Sequence, residues 1–357
     1  MLIVGTIIGA GFASGKEISS FFGSNISPLV ALAVGVGVFL LCYLFCTIGR
    51  LYKSSDFSKV NEKLLGKLHV IADVFLLLNS LIVLSGMLSG MDSLFDTILP
   101  ISPAYSVISG ILCAIIVSKG LSGLLKSNSI IVPFIIFFII LICCFNIGKP
   151  SFSLAFSPFT LPSAVLYVCM NIMLACTVLT TVDEKPKTVL WASLIAAAIM
   201  TALMLLIILT LNGNDTSADM PMISIASSTS KVLYYFAVGA VAISIFTTMM
   251  TALIGLSSWL APLTGSKGFS VAVSLIAGML VSNLGFENVV AYLYPVIGIF
   301  GFVYTVLCSF CLCRRLLASK KSFGKRDCKV HNSGKKAQNH GGRHNEVELK
   351  DLTAVNN

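Results

Sequence analysis

The chain has 357 residues, of which 56% are hydrophobic and only 11% are charged, and its mean hydropathy is +0.95. Soluble domains are about half apolar and a quarter charged, so these values exclude a water-soluble protein. Most of the formal net charge of +9 lies after Cys313. We therefore predict a nearly neutral transmembrane domain, residues 1–313, and a basic disordered cytoplasmic tail, residues 314–357.

Ten apolar segments are long enough, or nearly long enough, to cross a bilayer, whose hydrocarbon core needs about 20 residues per helix. The fourth and ninth are short, and the first lacks the basic leading region of a cleaved signal peptide. These ten predicted spans are Leu2–Phe22, Pro28–Ile48, Val70–Gly90, Ile101–Val117, Ile130–Ile147, Leu161–Val182, Val189–Leu211, Val232–Leu260, Phe269–Leu284 and Val289–Cys313. The sequence predicts an all-α integral membrane protein with about ten transmembrane helices.

Basic residues in short loops favour the cytoplasmic side of a membrane, and here they fall almost entirely on one side. With the N-terminus inside, the outside loops carry only Lys16 and Lys149, and Lys231 lies at a boundary. The cytoplasmic loops then carry Arg50, Lys53, Lys59, Lys63, Lys67, Lys119, Lys126, Lys185, Lys187 and Lys267. We expect a multi-pass plasma-membrane protein with both termini in the cytoplasm.

The second half of the chain repeats the order of the first. A long loop with an amphipathic stretch precedes both the third and the eighth span, and Asp56 and Asp219 lie where helix N-caps are expected. We place one repeat at about residues 1–148 and the other at about residues 160–313. Five spans is an odd number, so the second repeat crosses the membrane in the opposite sense. In inverted repeats of this kind the first helix of each half is discontinuous at the ligand site.

The first span contains four glycines, Gly5, Gly9, Gly11 and Gly15, in an otherwise apolar run. Each weakens a helix by about 1 kcal/mol relative to alanine. A break near Gly9 would expose backbone N–H and C=O groups that bind anions and cations. The alternative is a helix-packing stripe, because these glycines also have the GxxxG spacing.

Two other motifs are too incomplete to carry chemistry. The stretch from Ala10 to Lys16 approximates a phosphate-binding loop, but Glu17 replaces the Mg²⁺-binding hydroxyl and no nucleotide-binding domain surrounds it. The cysteine and histidines of the tail are scattered in a polar segment, which favours disorder over a metal site.

The motif Gly9-Ala10-Gly11-Phe12-Ala13-Ser14-Gly15-Lys16-Glu17 resembles the YkvI-type bacterial membrane proteins, a branch of the amino acid–polyamine–organocation superfamily. The resemblance extends from Val4 to about Cys313. It implies the five-plus-five fold of the sodium-coupled leucine transporter, with ligand between spans one, three, six and eight. Members usually have a longer segment before Gly9, so we expect the natural start to lie upstream of Met1.

This resemblance assigns the expected substrate contacts to two broken helices. They are Gly9, Ala10, Gly11 and Phe12 in the first span, and Tyr167 and Asn171 in the sixth. Asn171 has an alternative role as a polar side chain that joins two membrane helices.

A sodium site is expected beside the substrate. Ser244, Thr247 and Thr248 resemble the span-eight pattern that completes such a site, and the carbonyls of Gly5 and Ile8 would supply the other oxygens. The alternative is a polar stripe whose hydroxyls bond to the preceding turn. Proton coupling needs a deep titratable group, and the sequence offers almost none: Glu17 and Glu287 flank span ends, and we interpret Asp73 mainly as interfacial, with a functional role as the alternative.

We therefore expect a Na⁺-coupled secondary transporter of a small amino-acid-like solute. Its partners would be that small-molecule substrate and the lipid bilayer, with no nucleic acid and no cofactor other than Na⁺ as coupling ion. The alternative is a non-transporting membrane sensor that binds a ligand in the same cavity. The spans contain no catalytic dyad, which argues against an intramembrane enzyme.

Overall fold

The computed structural model describes residues 2–23, 25–54, 56–96, 101–146 and 160–315, and every regular element in these ranges is helical. The chain divides into two compact units, Met1–Leu307 and Cys308–Asn357, and the candidate site lies in the first. The predicted tail falls almost wholly outside the described residues.

Helices account for most of the described residues. They are α1 (Leu2–Ile7), α2 (Ala10–Ser14), α3 (Lys16–Phe22), α4 (Leu29–Tyr52), α5 (Phe57–Leu65), α6 (His69–Asp96), α7 (Ala104–Val117), α8 (Leu121–Asn146), α9 (Thr160–Leu179), α10 (Pro186–Leu211), α11 (Pro221–Thr229), α12 (Lys231–Thr264), α13 (Lys267–Val281) and a last helix, Phe286–Arg315. The last helix contains a π-helical turn at Val289–Leu293.

The predicted spans are found in this helix order. Seven helices of the described residues are long and apolar enough to cross a membrane, and they include α4, α6, α8, α9, α10, α12 and the last helix. The short fourth and ninth spans are α7 and α13, with 14 and 15 residues. The first span consists of α1, α2 and α3, which are too short to cross the bilayer singly.

Both halves show the same succession of helices, but their first helices differ. In each half the first span is followed by a long helix, a short amphipathic helix, another long helix, a short apolar helix and a final long one. However, α9 is a single helix from Thr160 to Leu179, so the break expected in the sixth span is not found there. The physical reason is composition: α9 has no glycine, and its one proline, Pro162, lies in the first turn, where proline is tolerated.

The short amphipathic helices bury their apolar faces, but only one has the expected cap. Asp56 caps α5 by accepting a hydrogen bond from the Ser58 backbone N–H at 3.0 Å. Asp219 does not cap α11, because Met220 occupies the N-cap position and Pro221 begins the helix. The Asp219 carboxylate faces Lys16 instead, 3.8 Å from its Nζ.

Large apolar side chains cover the outside of the helix bundle. On α7 and α8, Ile108, Ile115, Phe134 and Phe137 are each more than half exposed. A soluble protein seldom presents so large an apolar surface, because water penalises it. Such an apolar exterior suits the hydrocarbon core of a bilayer. It confirms a multi-pass membrane protein.

The centre of the bundle is α12. Among the seven described helices that are long enough to cross a membrane, its apolar segment is the most buried. It packs against α6, α8 and α13, and it also contacts α1 and α2 of the broken first span. A second layer is formed by α4, which packs against α9 and α10. The break in the first span is therefore surrounded by continuous helices.

Glycines allow some helices to pack closely against each other, and alanine substitutions test this. An added Cβ at Gly49 in α4 would lie 2.7 Å from the Thr180 carbonyl oxygen, whereas one at Gly239 in α12 would meet nothing within 4 Å. We expect Gly49→Ala to destabilise the protein by about 1–3 kcal/mol through overpacking. Gly239→Ala, the matched control, should stabilise it by about 1 kcal/mol at most. Thermal unfolding in detergent measures both, and equal effects would contradict the packing.

Candidate substrate and ion site

The first span is interrupted between Ile7 and Ala10. The Gly9 N–H donates to the Ile7 carbonyl at 2.9 Å, rather than to Gly5 four residues earlier as in a continuous α-helix. Gly9 itself is extended, with φ −93° and ψ 179°. The predicted break is confirmed, and because helix ends leave backbone groups unpaired, polar backbone is exposed beside it.

A second interruption follows at Gly15. This residue has φ 79°, a left-handed conformation that favours glycine, and it separates α2 from α3. The turn directs the Glu17 side chain back towards α2. An added Cβ on Gly11 would lie only 2.2 Å from Glu17 Oε1, so the space above Gly11 is the space that the carboxylate occupies.

A small cavity of about 20 Å³ lies at the break. It is formed where the first span meets α6, α9, α12 and the last helix. Its lining residues are Thr6, Ile7, Gly9, Glu17, Asn79, Val83, Met170, Asn171, Leu174, Thr248 and Tyr294. A cavity of this size holds about one water-sized group, so the site is closed around a volume much smaller than an amino acid.

Glu17 is the one carboxylate that lines this cavity, and its side chain is buried, with 3% of the residue exposed. The Tyr167 hydroxyl donates to Glu17 Oε2 at 3.4 Å, and Tyr167 is held by an edge-to-face contact with Phe21 at 5.4 Å between ring centroids. The expectation that no acidic residue lies deep in the protein was therefore wrong. The sequence did not indicate that Glu17 is buried, because the residue lies at the end of the first span and the turn at Gly15 reverses the direction of its side chain.

Asn79 on α6 is a further cavity residue that sequence reasoning missed. It is 3% exposed, and its Nδ2 has no hydrogen-bond partner among the described residues. Asn171 on α9 also lines the cavity, but its Nδ2 donates to the Tyr167 carbonyl at 3.0 Å. A polar residue in the middle of an apolar span was the available signal for both asparagines, and it was used only for Asn171.

The structure brings some of the expected substrate residues together and separates others. Gly9 and Asn171 line the cavity, while Gly11 and Tyr167 contact Glu17 at its edge. Ala10 and Phe12 are fully buried and are not among the described lining residues. Their role as substrate contacts stays a prediction.

The hydroxyls expected to bind sodium all lie on α12, and that of Thr248 lies beside the break. Thr247 and Thr248 donate to the Ser244 carbonyl at 2.9 and 3.0 Å, which leaves lone pairs on both hydroxyl oxygens. The Ser244 Oγ is buried without a partner among the described residues. An added Cβ on Gly9 would lie 3.1 Å from Thr248 Oγ1, so the break and the Thr248 hydroxyl are adjacent.

The expected carbonyl ligands, Gly5 and Ile8, are both buried in the first span. Gly5 faces α8, where an added Cβ would lie 2.6 Å from Asn128 Nδ2. Both polar side-chain atoms of Asn128 are buried without partners among the described residues. Sodium binding at these carbonyls stays a prediction.

Asp73 was interpreted as an interfacial residue, and it lies one turn into α6 beside the amphipathic α5. It is 5% exposed, and its carboxylate accepts hydrogen bonds from Ser58 Oγ at 2.5 Å and Asn61 Nδ2 at 2.6 Å. The Tyr304 hydroxyl in turn donates to Asn61 Oδ1 at 2.8 Å. Asp73 therefore anchors α5 against α6 and lies outside the cavity.

Lys16 connects α3 to two other segments. Its Nζ lies 3.8 Å from Asp219 Oδ1, 3.7 Å from Glu287 Oε1 and 3.5 Å from the Ala218 carbonyl. The lysine side chain is only 11% exposed, whereas both carboxylates are more than half exposed. These contacts tie the first span to the loop before α11 and to the start of the last helix.

The pairing of Gly11 with Glu17 makes a prediction. Gly11→Ala should destabilise the protein by about 1–3 kcal/mol, because the new methyl group displaces the Glu17 side chain. In a Glu17→Ala background the same change should have little effect, so the two substitutions should be strongly non-additive. A double-mutant cycle by thermal unfolding in detergent measures this. Additive effects would show that the carboxylate does not occupy the space above Gly11.

No protein-family model matches the chain. It is 24% identical over 322 residues to the uncharacterized protein YyaD of Bacillus subtilis (strain 168) and 26% identical over 328 residues to the uncharacterized membrane protein YkvI of the same organism. These matches cover 86% and 87% of this chain, and 94% of each relative.

Solved structures show the same fold at low sequence identity. MhsT in complex with L-phenylalanine superimposes with a TM-score of 0.65 at 15% identity, over 87% of this chain and 85% of MhsT. Mhp1 is a nucleobase-cation-symport-1 family transporter. Its closed conformation with bromovinylhydantoin bound superimposes with a TM-score of 0.53 at 16% identity, over 78% of this chain and 70% of Mhp1. The inward-facing conformation of Mhp1 superimposes with a TM-score of 0.54 at 14% identity, over 84% of this chain and 72% of Mhp1. The chain is thus similar to YkvI and YyaD over most of its length and shares the all-helical membrane fold of MhsT and Mhp1.

Proposed function

We propose that this protein is a secondary transporter of a small amino-acid-like solute, coupled to Na⁺ and working by alternating access. One observation carries the proposal: the first span breaks at Ile8 and Gly9, directly beside a small closed cavity whose lining includes Glu17, Asn79 and Thr248. Unpaired backbone is tolerated at membrane depth only where protein or a cavity covers it. A structural helix has no need of such a break.

The closed cavity supports alternating access. Because it holds only about one water-sized group, a solute enters only after the surrounding helices move. The contacts of Lys16 with Asp219 and Glu287 join three segments around the outer part of the first span. Two of these three groups are largely exposed, so the ion pairs are weak and open readily.

The solved relatives of the fold support the same reading. The MhsT structure holds L-phenylalanine, and Mhp1 belongs to a family named for symport with a cation. Mhp1 has been captured both closed with a ligand and inward-facing, so this fold adopts more than one conformation. For this chain we extend that to solute transport across the plasma membrane with both termini in the cytoplasm, as the loop charges favour.

The choice of Na⁺ rests on the hydroxyls of α12. The Thr248 hydroxyl presents oxygen lone pairs beside the backbone of the break, and Thr247 precedes it on α12. Hard cations prefer oxygen ligands. Glu17 is a buried titratable group, so Na⁺ is favoured by these oxygen ligands and not by the lack of a group that could carry a proton.

Transport is tested by uptake into proteoliposomes. A mixture of radiolabelled amino acids should accumulate under an inward Na⁺ gradient and should not accumulate when K⁺ replaces Na⁺. Accumulation above the external concentration is expected because the ion gradient drives it. Binding of a labelled amino acid without any net accumulation would contradict transport and favour a membrane sensor.

Sodium binding is tested by stability. A ligand that binds only the native state stabilises it by RT ln(1 + [L]/Kd), so Na⁺ at about ten times its Kd should add roughly 1.4 kcal/mol that K⁺ does not. The double variant Thr247→Ala and Thr248→Ala should lose this increment. Thermal unfolding in NaCl and KCl at equal ionic strength measures it, with Thr264→Ala, a threonine at the far end of α12, as the control. Equal stability of the wild type in both salts would contradict the site.

A further inference from the structure

A second groove, of about 240 Å³, lies between α5, α6, α9 and the last helix. It shares no described lining residue with the cavity at the break. Its lining side chains are apolar apart from the Tyr304 hydroxyl, which donates to Asn61 Oδ1 at 2.8 Å. A polar ligand group buried against such a lining would lose its hydrogen bonds to water and gain few in return. The groove is therefore suited to a hydrocarbon chain.

The mouth of this groove faces the lipid-exposed side of the bundle. Three of its lining side chains, Leu68, Ile71 and Val303, are 49%, 58% and 50% exposed. Phe75 and Phe300 also line the groove, and they stack with 4.3 Å between ring centroids, which holds α6 against the last helix. Because the exposed side chains belong to the apolar exterior of a membrane protein, an acyl chain of the bilayer reaches the groove without passing through water.

A lysine lies at the edge of the groove. Lys67 immediately precedes the lining residue Leu68, in the short 3₁₀ turn that follows α5. Just after this turn, at the start of α6, Val70 and Ile71 are 56% and 58% exposed. The chain thus passes from a charged to a lipid-facing surface within four residues. A lysine at such a boundary lays its methylene stem along apolar surface and keeps its ammonium group among the polar headgroups.

A second lysine adds to the positive charge beside the groove. Lys63 lies in the last turn of α5, two residues before the lining residue Leu65. Lys63 and Lys67 are both exposed, and neither has a carboxylate within ion-pair distance in the part of the chain that the structure describes. Glu62 is the one acidic residue of α5, so the two lysines outnumber it. The edge of the groove therefore attracts an anion.

We infer that this groove binds an anionic phospholipid of the bilayer, with one acyl chain in the groove and the phosphate group on Lys67 and Lys63. The inference goes beyond solute transport and does not depend on it. An acyl chain gains little by moving from the bilayer into an apolar groove, because lipid tails are as apolar as the lining side chains. The headgroup therefore sets the preference among lipids, and each lysine near the surface favours an anionic lipid by roughly fivefold.

The bound lipid would join three elements on one side of the bundle. Its chain would contact α6 and the last helix, and its phosphate group would contact the end of α5 and the turn that follows. This contact exists only when the helices are assembled, so the lipid binds the native state and stabilises it.

The test is thermal unfolding of the full-length protein in detergent, titrated with three probes. They are palmitoyl-oleoyl-phosphatidylglycerol, phosphatidylcholine with the same chains, and glycerol 3-phosphate, which has the phosphate group without chains. The apparent dissociation constant for phosphatidylglycerol should be lower than that for phosphatidylcholine by roughly tenfold or more, and glycerol 3-phosphate should not stabilise the protein. Equal constants for the two lipids would overturn the role of the lysines. Stabilisation by glycerol 3-phosphate equal to that by phosphatidylglycerol would overturn a lipid as the ligand.

A pair of double variants locates the headgroup. Lys63→Gln with Lys67→Gln should raise the dissociation constant for phosphatidylglycerol to that for phosphatidylcholine. Lys119→Gln with Lys126→Gln removes the same charge from two exposed lysines that do not line the groove, and should keep the wild-type preference. An equal loss of preference in both double variants would show a general effect of net charge and would overturn the site.

A pair of single variants locates the acyl chain. Val303→Trp should obstruct the mouth of the groove and weaken binding of both lipids, whereas Val306→Trp, at an equally exposed valine of the same helix outside the groove, should not. Unfolding without added lipid shows that each variant is folded, since both side chains are half exposed. Unchanged binding of both lipids in Val303→Trp would overturn the place of the chain in the groove.

Discussion

The constraint on which this structure depends is that backbone polar groups in a membrane must be paired within the protein. Most of the chain satisfies it with continuous helices that expose isoleucine, leucine and phenylalanine to lipid. The first span departs from it at Ile8 and Gly9, and it does so at the centre of the bundle, against α12. Because the neighbouring helices are continuous and cover this point, the unpaired backbone at Ile8 and Gly9 is shielded from lipid. The cavity, the hydroxyls and the carboxylate all lie at this one interruption.

The two interruptions of the first span, at Gly9 and at Gly15, place different chemical groups at the site. At Gly9 the backbone is exposed beside the Thr248 hydroxyl, and at Gly15 the chain changes direction so that Glu17 fills the space above Gly11. Neither glycine acts alone, because α2 between them has only five residues and an isolated helix of that length is unstable. The geometry of the site is therefore held by packing against the longer helices.

Much of the fold was predictable from the sequence because membrane helices leave a strong periodic signal. Each apolar segment became a helix or, in the first span, a set of helices, and the glycine cluster correctly located the break. The prediction for α9 failed because it was carried over from the first helix by symmetry, whereas local composition, with no internal glycine, keeps α9 continuous. Glu17 and Asn79 were missed for a different reason. Their positions depend on a turn and on helix packing, and a linear sequence does not show which direction a side chain takes after a left-handed glycine.

Lys16 and Glu17 are consecutive on α3, yet their side chains lie on different sides of it. One pairs with Asp219 and Glu287, and the other enters the cavity. Successive residues of an α-helix are about 100° apart around its axis, so the two groups are fixed to one rigid turn. A rotation of α3 that brings the carboxylate further into the cavity must also swing the ammonium group away from its partners. The cavity contact of Glu17 and the ion pairs of Lys16 therefore both depend on the orientation of the same short helix.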